Sequence, residues 1–345
     1  FATASIALLD SLNCVDYLCF GCETDSIDLL NTVAEILINE PKEYKDLLTI
    51  NLKTGISFPK ARAKALDEYF KKYNLDYSLD INSKKYAKYP SDITSNSNLD
   101  INTFINQPNN ILGIEYIKAL MRFNSKINPV PLKRLGAGYH SLDTRTKLAS
   151  ATGIRTAMAN KDNISGLLPD NCLNIIKNHT TIEYNDFSTV LGSKLLSMDT
   201  LDHIEGINQD LSNRIANNKY NFTDIETFMP MLQSKNYTYS AISRALLHII
   251  LDIKTDDIKE FISNNYVNYA MILGFNKNTG ILSEINKYTK IPLVSKFATF
   301  YKEADNNQRK MLDINLKADN LYRMIYMNKT SETLPTEFQR QIIIK

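Results

Sequence analysis

The segment Val15-Asp-Tyr-Leu-Cys-Phe20 closes on Gly21 and has helical spacing on both sides, which narrows the fold more than any other stretch of the chain. Before it, Ile6, Leu8, Leu9 and Leu12 share one helical face. After it, Ile27, Leu29, Leu30, Val33 and Ile36 keep helical spacing from a cap at Asp25 to the break at Pro41. A short, mostly buried strand between helices is a unit of an α/β sheet. The pattern goes on with a helix from Glu43 to Lys53 and another opened by Pro59 that carries Ala63, Ala65, Leu66, Tyr69 and Phe70. Residues 74–107, rich in Asn, Ser, Asp, Lys and Tyr, predict a long surface loop of the length that often forms a lid. A helical stripe, Ile111, Ile114, Ile117 and Met121, follows Pro108. A strand over Asn128–Leu135, a Gly136-Ala-Gly138 turn and a helix from Ser150 through Met158 complete this half.

Beyond about residue 165 helical periodicity takes over. Phe187, Val190, Leu191, Leu195 and Leu196 mark one helix, Ile225, Phe228, Met229 and Leu232 a second, and Ile242, Leu246, Leu247, Ile250 and Leu251 a third. Pro230 lies inside the second stripe, where it would kink or end a helix. Short strands are predicted at Tyr269–Phe275 and Ile291–Phe300, with a helix started by Gly280 between them. The expected division is an α/β domain over 1–164 and a mostly helical domain over 165–345.

The 345 residues suffice for two domains, and 43% apolar with 23% charged residues excludes disordered and fibrous classes. The apolar runs are too short for a membrane span. Cys14, Cys19, Cys22 and Cys172 form neither a disulfide framework nor a zinc site, so a reducing cytoplasm is expected and no metal is assigned. Phe-Ala-Thr-Ala-Ser-Ile-Ala-Leu-Leu carries no charged leader, as for a chain that starts inside a domain. Net charge is −4 over residues 1–100, +2 over 101–236 and +4 over 237–345, which makes the C-terminal end the better polyanion candidate. A solvated surface explains the same mild excess.

The candidate chemistry clusters where strands end and helices begin, as phosphate binding requires. Gly21 would let a nucleotide approach the backbone beyond a strand, or make an ordinary turn, and Glu23 could take a ribose hydroxyl. Asn109 and Asn110 stand before a helix, to cap it or to offer an amide to an adenine or ribose edge. Lys133-Arg134 before the glycine turn, with Tyr139 and His140 beyond it, suits a polyphosphate or is a solvated pair. Ser150-Ala-Thr-Gly-Ile-Arg155 places a capping Ser150, the hydroxyl of Thr152, helix N–H groups and Arg155 together, a phosphate-binding helix start or a well-capped surface helix.

That last segment resembles the helix-start motif of nucleotidyltransferases that carry a His-x-Gly-His signature. More narrowly, Phe20-Gly21-Cys22-Glu23, Pro108-Asn-Asn-Ile-Leu-Gly-Ile-Glu-Tyr116, Arg134 to His140, Ala149 to Met158, Tyr237-Thr-Tyr and Pro292-Leu-Val-Ser-Lys296 occur in an order similar to that of bacterial tRNA(Met) cytidine acetate ligases, along the whole chain. The resemblance implies a Rossmann-like nucleotidyltransferase domain, here incomplete, followed by a helical tRNA-binding domain. It implies ATP, with Mg2+, and acetate as substrates. Acetyl-adenylate forms first, and the acetyl group then passes to N4 of the wobble cytidine of elongator tRNA(Met). ATP contacts would fall on Gly21, Asn109, Arg134 and Leu135, with Cys22 where the family usually has Ser.

One departure concerns the histidines. This chain has His only at 140, 179, 203 and 248, and none belongs to a His-x-Gly-His. The resemblance places that segment before Phe1, so the chain reads as a fragment lacking roughly the first half of the nucleotide domain, poorly soluble and inactive, with its catalytic residues unassigned. An inactive relative that lost the segment would leave the sheet without its first strands. In the second domain Lys235, Arg244 and Lys296, with Lys302, are the candidates for tRNA phosphates, and Tyr237 or Tyr239 for stacking on an anticodon base or filling the helical core. A small-molecule nucleotidyltransferase needs the same cradle without the basic helical half. A noncatalytic RNA-binding protein leaves the cradle idle.

Overall fold

The computed structural model describes residues 1–73, 75, 101–134, 149–234 and 237–345. The chain divides into two units, Phe1–Pro169 and Asp170–Lys345. The division falls a few residues past the 164/165 boundary drawn from the sequence.

The first unit runs α1 (Ala2–Leu12), β1 (Tyr17–Cys22), α2 (Ile27–Asn39), α3 (Lys42–Lys53), α4 (Phe58–Lys72), α5 (Ile101–Asn106), α6 (Pro108–Arg122), β2 (Asn128–Lys133) and α7 (Ala151–Ala159). β1 and β2 pair in parallel, from Tyr17 opposite Asn128 to Cys22 opposite Lys133. A parallel pair needs a long crossover, here supplied by α2 to α6. The strand starts and ends two residues later than expected, so Gly21 lies inside it. Ser26, not Asp25, caps α2, its Oγ accepting from the Leu29 N–H at 3.3 Å. Part of the expected surface loop is α5. Its Ile101, Phe104 and Ile105, spaced i, i+3 and i+4, are buried and supply one apolar face. The lid expected over the rest of that loop lies outside the described residues.

α6 is the axis of this unit and packs against α1, α2, α5 and β1. Its Ile114 and Ile117 join Phe20, Leu30, Val33, Leu66, Phe70 and Phe104 in one core, and burial of each such side chain contributes about 1.5–3 kcal/mol. A Cβ on Gly113 would stand 2.6 Å from the Phe20 ring, so α6 sits on β1 at a distance only glycine permits.

Two ionisable groups in this core resist losing their protons. The Cys22 thiol is pushed up to about 11, by burial first and then by Asp25 and Glu23. Burial pushes the Tyr44 phenol up to about 12 against the opposing pull of Arg62. The folded state therefore keeps protons that the unfolded chain releases from about pH 9 upward, and stability falls as pH rises through that window. The thermal unfolding midpoint is expected to fall steadily between about pH 9 and 11, with a shallower slope in Cys22→Ala. Equal slopes would remove Cys22 from this linkage.

The second unit is mostly helical: α8 (Asp170–Asn178), α9 (Ser188–Ser197), α10 (Gln209–Asn218), α11 (Ile225–Leu232), α12 (Tyr239–Leu251), α13 (Thr255–Ser263), α14 (Ile281–Tyr288), α15 (Phe297–Glu303) and α16 (Asn306–Thr330). Leu191, Leu195, Ile215, Phe228, Met229, Ile242, Leu246 and Ile249 form its core. Pro230 remains inside α11, because it sits in the last turn of a short helix and is exposed. Water can there take the Glu226 carbonyl it leaves without a donor.

The two expected strands shrink to dipeptides. Tyr269–Phe275 holds β3 (Ala270–Met271) and β4 (Gly274–Phe275), and Ile291–Phe300 holds only β5 (Leu293–Val294) before α15 begins. β3 pairs in parallel with β5, and β4 with β6 (Ile343–Ile344). Phe297 and Tyr301 stack at 5.5 Å and meet the Phe338 ring, a helical face that the strand expectation overlooked. Among the described residues no helix is long and apolar enough to cross a membrane.

Candidate functional site

The carboxyl ends of β1 and β2 lie side by side, and the chain leaves β2 through Arg134. The Arg134 N–H donates to the Cys22 carbonyl at 2.9 Å, which extends the ladder by one residue. The aliphatic stem of Arg134 lies over Gly21, where a Cβ would stand 3.4 Å from the arginine Cγ. Both residues are exposed. Arg134 forms no ion pair with a described residue, so a cation with an open face stands where parallel α/β sheets bind ligands.

The loop after β1 is tied to the first turn of α6. Glu23 Oε1 accepts from Asn109 Nδ2 at 2.6 Å, and Oε2 accepts from the Asn110 N–H at 3.0 Å. In return Asn110 Oδ1 accepts from the Glu23 and Thr24 N–H groups at 3.0 and 3.2 Å. Asn110 Nδ2 donates to the Phe104 carbonyl at 3.1 Å and to Gln107 Oε1 at 2.7 Å. Asn110 is fully buried, and every polar atom of its amide is satisfied.

The expected helix cap at Asn109 and Asn110 is thereby corrected. Both lie inside the first turn of α6, and the orphan N–H of that turn finds a carboxylate from another element. The expectation for Glu23 changes too, because its oxygens face α6 rather than standing free for a ribose hydroxyl. Asn109 Oδ1 has no partner among the described residues.

Ser150 caps α7, its Oγ accepting from the Gly153 N–H at 2.9 Å, and it is buried. Thr152 is half-buried and Arg155 exposed in the first turns of α7. Leu135, His140 and the glycine turn lie outside the described residues, so nothing described joins Arg134 to Ser150 along the chain.

In the second unit Arg244 is exposed on α12, whose cap is Thr238, accepting from the Ala241 N–H at 3.3 Å. Lys296 is exposed at the N-terminus of α15, and Lys302 is exposed in its last turn. Lys235 lies outside the described residues. Tyr237 packs against the core and its hydroxyl donates to Asn208 Oδ1, the second of the two roles expected for it, whereas Tyr239 is 55% exposed. His179 and His248 each place Nδ1 on a backbone carbonyl, of Ile175 and Glu205. Among the described residues no group of three or more His, Cys, Asp or Glu converges to hold a metal ion.

Comparison with known proteins gives a consistent result. Residues 1–337 match the family model of the HIGH Nucleotidyl Transferase. The tRNA(Met) cytidine acetate ligase of Thermoanaerobacter sp. (strain X514) is 32% identical over 338 residues, 96% of this chain and 77% of that protein. The protein of the same name from Halothermothrix orenii is 31% identical over 341 residues, 94% of this chain and 76% of its own length. Two crystal structures of Thermotoga maritima TmcAL, the apo form I and a form II bound with alpha-thio ATP, each superpose with a TM-score of 0.82. Each is 24% identical and is matched over 100% of this chain and 80% of that one, a likeness of fold. The expected inactivity finds no support in these matches.

Proposed function

The chain belongs to the HIGH nucleotidyl transferase family, among the tRNA(Met) cytidine acetate ligases, and from this membership we propose that it activates acetate with ATP and acetylates a tRNA cytidine. In the first step an acetate oxygen attacks the α-phosphorus of ATP, giving acetyl-adenylate and pyrophosphate. In the second, N4 of the wobble cytidine of elongator tRNA(Met) attacks the acetyl carbonyl, AMP leaves, and the amine loses a proton.

The observation that carries this proposal is the Arg134 stem lying over the bare backbone of Gly21 at the ends of two parallel strands. The missing side chain of Gly21 lets the Arg134 stem lie against the main chain, and from there Arg134 would supply charge for the phosphates. Leu135, next in sequence, is a further proposed contact. Ser150, Thr152 and Arg155 are proposed for a phosphate through the α7 N–H groups, although the Ser150 hydroxyl already accepts one of them. Without a cluster of acidic ligands among the described residues, Mg2+ would be held chiefly by the nucleotide phosphates and water, where it neutralises their charge. The second unit is the proposed tRNA-binding part, with Lys235, Arg244 and Lys296 as contacts. The cytoplasm is the compartment this chemistry implies, in keeping with four free cysteines.

Arg134→Ala tests the nucleotide site. It removes a charge-assisted contact of about 1.5–3 kcal/mol and should weaken ATP binding roughly 10- to 150-fold by calorimetry. Unchanged affinity would take Arg134 out of the site.

A further inference from the structure

The Glu23 contacts bear on nucleotide specificity. An Asn amide can present either its oxygen or its NH2 to a ligand, and a half-turn about its last torsion exchanges the two. At Asn109 the choice is made by Glu23. A carboxylate accepts and does not donate, so the group facing Glu23 Oε1 at 2.6 Å must be the NH2, leaving Oδ1 on the other side without a partner among the described residues. The carboxylate is itself fixed, because Oε2 accepts from the Asn110 N–H at 3.0 Å and the same loop is tied back through Asn110 Oδ1.

We propose that Glu23 is a positioning residue that holds Asn109 as an obligate hydrogen-bond acceptor for the exocyclic amine of adenine, so that the site takes ATP and rejects 6-oxopurine nucleotides. This rests on the nucleotide site proposed above. Charge and hydrogen-bonding sense both select the adenine amine. The negative charge of Glu23 behind Asn109 disfavours a phosphate there, whereas Arg134 favours one, so Asn109 faces the nucleoside end. A ribose hydroxyl donates or accepts with equal ease and would be served by either orientation. Fixing the amide matters only for a group that can donate and not accept.

The chemistry of Glu23→Gln makes the proposal sharp. The glutamine introduced there must still accept from the Asn110 N–H with its one oxygen, which turns its NH2 toward residue 109. Asn109 then has to turn its oxygen inward and present NH2 to the ligand, which suits the 6-oxo group of inosine. In the double variant Glu23→Gln with Asn109→Asp, the new glutamine donates to one carboxylate oxygen and the other faces the ligand, so an acceptor returns while the summed charge of the pair is unchanged.

The experiment is calorimetry of the full chain with ATP, ITP, 2′-deoxy-ATP and 3′-deoxy-ATP. Wild type should bind ATP about tenfold or more tighter than ITP. The ratio should collapse or invert in Glu23→Gln and return in the double variant, while neither deoxynucleotide loses comparable affinity. A wild-type chain that binds ATP and ITP alike overturns the proposal and leaves the nucleotide site standing, whether or not the variants fold. Loss of affinity for a deoxynucleotide with none for ITP overturns it in favour of a ribose contact. An ATP:ITP ratio unmoved by Glu23→Gln overturns the positioning role. A wild-type chain that binds no ATP overturns this proposal together with the site on which it rests.

Discussion

Acetate incorporation into elongator tRNA(Met) should fall to background when uridine replaces its wobble cytidine, while binding of the tRNA changes little. The nucleophile is the exocyclic amine of cytidine, and uridine carries a carbonyl oxygen at that carbon, so no rearrangement of the site restores the reaction. If binding rests instead on phosphate neutralisation by Lys and Arg side chains, as proposed for the second unit, it is indifferent to one base. Each neutralised phosphate releases counterions, so affinity should fall with salt at a log–log slope of about 0.7–0.9 per contact. Arg244→Ala and Lys296→Ala should each make that slope shallower by about one contact's share. The measurements are filter binding across a salt series and incorporation of labelled acetate into both tRNAs. Equal incorporation into both would take the wobble amine out of the reaction, and binding insensitive to salt would point to a nucleotidyltransferase acting on a small molecule.

Asn110→Leu should be among the most destabilising single substitutions in the first unit. Leucine has as many side-chain heavy atoms as asparagine, branched at the same carbon, so the core is not hollowed. What is lost is the acceptor for the Glu23 and Thr24 N–H groups and the donor to Phe104 and Gln107. Each orphaned buried group costs about 1–3 kcal/mol, and two or three of them amount to roughly 3–6 kcal/mol. Whole domains hold only about 5–15 kcal/mol in reserve. Urea unfolding should show a lower midpoint, and ATP affinity should fall with it as the loop after β1 loosens. A midpoint close to wild type would mean that water replaces the amide and that the loop does not depend on it.

Much of the first unit is legible in the sequence because its helices each carry a single apolar stripe. The stripes of α1, α2, α4 and α6 follow helical spacing closely enough to place the elements within a few residues. α16 is hidden although it spans 25 residues, since only Leu312, Ile325 and Tyr326 in it are buried and most of its length is polar. A usable signal is the capping box, with Asp305 and Gln308 exchanging hydrogen bonds at its start. The dipeptide strands look longer in the sequence than they are, because a run of Ile, Leu and Val says that residues are apolar and not which element buries them.

The site divides along the same line. Gly21 and Arg134 can be read from residue type and place, a glycine and a cation near strand ends. The exchange between Glu23 and Asn110 cannot, because the partners are 87 residues apart in the chain and each has an ordinary local role to fill. Glutamate after a strand and asparagine at a helix start are common, and only the fold reveals that one completes the other.

The seat of α6 on β1 also constrains how this protein can drift over generations. A Cβ at position 113 would stand 2.6 Å from the ring of Phe20, a ring packed into the core of this unit, so the helix or the ring would have to shift. A smaller residue at 20 would open a void until 113 grew to fill it, so each single step passes through a poorer protein than either endpoint. The two positions are therefore expected to change together, and the alignment of relatives that checks this should show larger residues at 113 only where 20 is smaller than Phe.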